Sequence, residues 1–100
     1  MGVDGMNENP RVIQHQQVLV ELNRLYARKN HDYGDSFHLT YRKWGLPMAA
    51  IRLEDKIQRF ETLIRAEGQV KDESIRDTLI DLANYAIMTV MELDQEEDAR

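Results

Sequence analysis

Four carboxylates in this chain sit at spacings that could share one cation. Asp77 and Asp81 lie one helical turn apart, and Asn84 continues the same face at i+7. Glu54 and Asp55 form a second acidic pair on an earlier helical stretch. Two like charges a turn apart repel by a few tenths of a kcal/mol on an isolated helix, so a cation nearby would be a favourable partner. Two helices that each present a carboxylate pair make an oxygen-rich site. Hard cations such as Mg²⁺ take carboxylate oxygens together with waters and substrate phosphates. Glu54, Asp55, Asp77 and Asp81 are therefore the candidate metal ligands, and Mg²⁺ is the candidate cofactor. Of these, Asp55, Asp77 and Asp81 are the candidate catalytic groups, one of them orienting a water.

Cations stand close by in sequence. Lys56 and Arg59 follow the Glu54-Asp55 pair and suit phosphate oxygens. The competing reading is salt bridging along the helix, worth only about 0.2–0.5 kcal/mol per pair. A second constellation is the turn Lys29-Asn30-His31-Asp32-Tyr33-Gly34. Lys29 suits a phosphate, Asn30 and Asp32 offer donors and acceptors to a base or sugar edge, and Tyr33 offers a stacking face. Asn84 completes the candidate substrate contacts. The same turn also reads as ordinary loop chemistry, with Asn30 and Asp32 bonding their own backbone and Gly34 at positive φ. His15, His31 and His38 lack metal-ligand spacing, and no Gly-rich phosphate loop or nucleophile elbow is present.

The elements that must position these residues are helical. Asn9-Pro10 reads as an N-cap followed by proline in the first turn. The helix would run to about Lys29, turning Val12, Val18 or Leu19, Leu22, Leu25 and Tyr26 inward. A short helix over Phe37 to Trp44 follows, ended by Gly45 and Pro47. A second long helix spans Met48 to about Ala66 on a stripe of Ala50, Leu53, Ile57, Phe60 and Ile64, with Gly68 as its stop. Asp72 caps the third long helix, which runs to about Leu93. Its apolar stripe is Ile75, Leu79, Leu82, Ala83, Ala86, Val90 and Leu93. Ile80, Ile87, Met88 and Met91 lie off that stripe, so this helix needs cover on two sides. A second subunit is an economical source of it.

The expectation is one all-α domain over residues 9–94: a bundle of three long helices and one short one, completed by dimerisation or a larger symmetric assembly. Residues 1–8 read as a flexible leader and 95–100 as an acidic tail. The net charge of −5 argues against general nucleic-acid binding, while five bases against two acids between Arg24 and Lys43 allow a small anionic ligand such as a nucleotide, or read as a solvated mixed-charge surface. The chain has no cysteine, which fits a reducing compartment. It also has no apolar run that could span a bilayer, so a cytoplasmic protein off the membrane is expected.

Three segments occur in a telling order: Lys29-Asn-His-Asp-Tyr-Gly34, Ile51-Arg-Leu-Glu-Asp-Lys56-Ile-Gln-Arg59, and Asp72 through Tyr85. Together they resemble the family called nucleotide modification associated domain 1, over about residues 20–93. That family, found in phages and bacteria, is placed near the all-α NTP pyrophosphatases, the MazG-like and dimeric dUTPase-like enzymes. The resemblance implies a MazG-like helical fold, dimers, and Mg²⁺-dependent cleavage of a nucleoside triphosphate to monophosphate and pyrophosphate. Those enzymes carry Glu-Glu-x-x-Glu on one helix and Glu-x-x-Asp on a later one. Here Gln58 stands where the third acid of the first pattern belongs, and Thr78 stands in place of the glutamate of the second. Two functional readings follow: a nucleoside triphosphate pyrophosphohydrolase, or a non-catalytic nucleotide-binding or assembly module serving nucleic-acid modification.

Overall fold

A computed structural model of the chain describes residues 9–66 and 72–98. All regular structure there is helical. Helix α1 spans Pro10–Arg28, α2 Ser36–Trp44, α3 Leu46–Arg65 and α4 Asp72–Asp98. A π-helical turn, His31–Asp35, joins α1 to α2. Among the described residues no helix is long and apolar enough to cross a membrane.

Local chemistry sets most of the boundaries. The Asn9 side chain accepts the Arg11 N–H at 2.8 Å, and Pro10 occupies the first turn, where its missing N–H has no helical partner to lose. Gly45 ends α2 with φ +71°, a conformation costly for any residue with a Cβ. Pro47 does not help to stop α2. It lies in the first turn of α3, which begins two residues before the expected Met48. The α3 helix ends at Arg65, and Gly68, the expected stop, lies outside the described residues, as does the leader 1–8. The α4 helix continues through residues 95–98.

The turn after α1 departs from expectation. The α1 helix ends at Arg28 as expected, but after two turn residues the chain resumes as a widened helical turn, with Asp35 N–H bonded to Asn30 O at 2.7 Å. Gly34 is not at positive φ; among the described residues only Gly45 is. Gly34 is required by crowding instead. A Cβ there would lie 2.5 Å from Asn30 Oδ1 and 2.7 Å from the Tyr26 ring.

Helices α3 and α4 form the main packed pair, with α2 laid across them. The core is small: Phe37, Tyr41, Met48, Ala49 and Met88, flanked by Tyr26, Tyr33 and Tyr85. The face that α4 turns inward is not its apolar stripe. Thr78, Ile80, Asn84, Met88 and Glu92 are buried, whereas Leu79, Ile87, Val90 and Leu93 are exposed, Val90 to 54%. Val12 and Leu19 of α1 and Ile57 and Ile64 of α3 are likewise exposed. The inversion is tolerable because no buried side-chain polar atom among the described residues lacks a partner. The chain is also open, with a radius of gyration of 16.1 Å against about 13 Å for a compact domain of this size.

Candidate functional site

Asp81 is the centre of the polar structure on α4. The Tyr33 hydroxyl, carried by the π turn, donates to its Oδ1 at 3.2 Å. Lys56 Nζ, from α3, stands 3.7 Å from its Oδ2. Lys56 also lies 5.9 Å from the centroid of the Tyr85 ring, a cation–π distance, and Tyr85 packs on Tyr33 at 5.4 Å. Burial pushes the Tyr33 hydroxyl far above the ordinary tyrosine range, helped by the negative charge of Asp81. Tyr85 is raised by the same desolvation, with Arg52 opposing and Asp81 and Asp55 reinforcing. Three elements far apart in sequence are thus tied to a single carboxylate.

On its other side Asp81 opens onto a cleft of about 670 Å³ between α1 and α4. One wall carries Arg24, Arg28 and Lys29, and the other carries Asp77 and Asp81. Glu21 also lines the cleft, but Arg76 holds it through two nitrogen–oxygen contacts of 2.6 Å, and this holds its carboxyl below the usual range. Asn84 has a different task. It is buried, and its Nδ2 donates to Leu22 O at 3.2 Å, fastening α4 to α1.

The structure therefore brings Lys29, Asp77 and Asp81 to one cleft, and Tyr33 and Lys56 onto Asp81 from outside it. Asn30 bonds Asp35 at 3.1 Å rather than facing outward freely. Asp32, Glu54, Asp55 and Arg59 are exposed. Leu53, Lys56, Phe60 and Leu63 are the half-buried positions of α3, and Glu54, Asp55 and Arg59 lie at exposed positions between them. Among the described residues no three acids or histidines converge into a group able to hold an ion.

Sequence reasoning did not assign Arg24 and Arg28 to the site. Their i, i+4 spacing beside Lys29 was the available signal. It also missed a second carboxylate pairing, His38 Nδ1 with Glu92 Oε2 at 2.7 Å. Nothing local announces that pair, which joins residues 54 positions apart.

In comparisons with known proteins, no curated protein and no solved structure matches the chain. The family model described as nucleotide modification associated domain 1 matches residues 29–93, from Lys29 at the cleft to the last turns of α4. This stretch covers well over half of the sequence, and the chain belongs to the nucleotide modification associated domain 1 family.

Proposed function

We propose that this chain binds a nucleotide with its phosphates in the α1–α4 cleft, and that it acts as a Mg²⁺-dependent, MazG-like nucleoside triphosphate pyrophosphohydrolase in nucleotide metabolism or modification. One observation carries the reading: cations at the end of α1 with no ion-pair partner among the described residues face two carboxylates on α4 across a cleft of nucleotide size. Lys29 takes phosphate oxygens, with Lys56 behind Asp81. Asn30, Asp32 and Tyr33 lie on the adjoining turn, where a nucleoside leaving the cleft would pass.

Asp77 and Asp81 suit a cation that arrives on its nucleotide and keeps waters and phosphate oxygens in its shell. They do not make a cage of protein ligands alone, and Glu54 and Asp55 stand outside the arrangement. Bound there, Mg²⁺ would supply neutralisation of phosphate charge and activation of water. The chain's own part is to hold the phosphates and to fix Asp81 between Tyr33 and Lys56.

A second reading, a non-catalytic nucleotide-binding or assembly module, is favoured by a specific observation. Both oxygens of Asp81 are already engaged, and Thr78, at an acid position in the resemblance, is buried with its hydroxyl bonded to Ser74 O at 2.8 Å. A panel of common and modified nucleoside triphosphates with Mg²⁺ or Mn²⁺ separates the two. Pyrophosphate release that disappears in Asp81→Ala is the expected result. Binding without release selects the second reading, and binding of no nucleotide defeats both.

The same proposal includes a homodimer. The exposed apolar stripe of α4 and the open shape of the single chain support it. Light scattering at micromolar concentration should give a dimer mass, and a monomer mass contradicts it.

A further inference from the structure

We infer that Arg24 and Arg28 form a polyphosphate clamp, which makes the cleft select its ligand by the number of linked phosphates. The inference rests on the reading of the cleft as a nucleotide site and adds the ligand class to it. Both arginines precede residues 29–93, so membership in the family says nothing about them.

Two of the neighbouring cations are already paired. Arg76 is committed to Glu21, and Lys56 to Asp81. Arg24, Arg28 and Lys29 have no carboxylate within ion-pair distance among the described residues, although all three line the cleft. The Glu21 that precedes Arg24 by one turn would be its natural partner on α1, and Arg76 has taken it. Cations at a helix C-terminus are favoured by the macrodipole, which accounts for Arg28 and Lys29. It does not account for Arg24, a turn earlier, nor for all three meeting an acid-lined cleft.

The spacing then names the ligand. Arg24 and Arg28 lie about 6 Å apart along the axis of α1. They are neighbours on one face of the helix, and each guanidinium presents a planar fork matched to a pair of phosphate oxygens. A single phosphate must share its few oxygens and its charge among both arginines and Lys29. Linked phosphates engage both, with Lys29 beside them. The carboxylates of Asp77 and Asp81 repel anions from the α4 wall and so keep the phosphates on the α1 side.

Inorganic triphosphate, pyrophosphate and orthophosphate test this without any assumption about a base. Calorimetric titration of the full chain should show affinity rising along that series, with triphosphate at least about tenfold tighter than orthophosphate. Arg24→Ala/Arg28→Ala should weaken triphosphate by about tenfold or more and flatten the series. Arg24→Lys/Arg28→Lys, which keeps the charge without the fork, should fall between. Both arginines are exposed, and unchanged circular dichroism checks the fold. Arg42→Ala/Lys43→Ala, on α2 and away from the cleft, should bind as wild type does. No triphosphate binding by wild type, or equal losses in the α1 and α2 variants, overturns the clamp. Nucleotide binding indifferent to Arg24 and Arg28 overturns the clamp alone. Triphosphate binding that follows the arginines but gains nothing from an attached nucleoside overturns the nucleotide reading alone.

Discussion

Helix α4 uses the same chemistry twice, with different results. Near its start Asp81 takes the Tyr33 hydroxyl and Lys56; near its end Glu92 takes His38. The Asp81 side chain keeps a third of its surface and opens onto a cleft of about 670 Å³. The Glu92 side chain keeps a tenth and borders a cavity of about 130 Å³, walled by Tyr26, Gly34 and Met88. Burial thus separates two paired carboxylates into different roles. Glu92 clamps α2 onto α4. Asp81 holds the π turn while remaining within reach of a ligand. A carboxylate on a helix is not a site because of its charge; it becomes one when its packing leaves a face open.

The sharpest way to break this comparison is at Glu92. Glu92→Ala removes a buried hydrogen-bonded group and should cost about 2 kcal/mol, lowering Tm by roughly 10 °C in a domain of this size. Nucleotide binding measured well below the new Tm should be unchanged. Gly34→Ala comes next. Its methyl group must displace Tyr26 and the Asn30 side chain, which stand between the two ends. Part of that cost is offset by the smaller entropy of the unfolded chain, leaving a net loss of about 1 kcal/mol in urea denaturation.

Titration at high pH examines the Tyr33 contact. Tyr33 and Tyr85 at the Asp81 end, and Tyr41 facing Glu96 at the other, all keep their protons beyond the ordinary value of 10.0, chiefly through burial. The folded state then binds more protons than the unfolded state above about pH 10. Stability is therefore fully present below that pH and is lost as pH rises past it. Tyr33→Phe should reduce the slope of that loss, and an unchanged slope would place the Tyr33 hydroxyl in water. The smallest stability effect is expected at Asp81 itself. Its pair with Lys56 is partly exposed, so Asp81→Ala should cost under about 1 kcal/mol while abolishing ligand turnover. A loss as large as that of Glu92→Ala would erase the distinction between the two ends.

How far the sequence disclosed all this depends on the range of the signal. The caps and breaks at Asn9-Pro10 and Gly45, and the start of α4 at Asp72, were legible because such signals act within a turn. The inward face of α4 was not. Its stripe of Leu79, Val90 and Leu93 follows helical periodicity, yet in the single chain the packed side holds Thr78, Asn84 and Glu92. Periodicity marks an apolar face but not what covers it, and polar groups can turn inward where remote partners such as Leu22 O and His38 meet them. Asp77, Asp81, Lys29, Tyr33 and Lys56, singled out by type and spacing, are brought to the cleft or onto Asp81. Glu54 and Asp55 do not line the cleft, and from α3 it is Lys56 that meets Asp81. Arg24 and Arg28 counted only as part of a basic segment and not as site residues, because a base-rich helix end looks the same whether it faces solvent or a cleft.

Amide chemical-shift mapping tests the central claim most directly. Nucleoside triphosphates with Mg²⁺ would be titrated into the labelled full chain. The account predicts shifts concentrated at the end of α1, from Glu21 to Lys29, at Asp77 and Asp81 on α4, and at the turn carrying Tyr33, with α2 and the Glu92 end quiet. Shifts centred on His38 and Glu92, or none with any nucleotide, would contradict it.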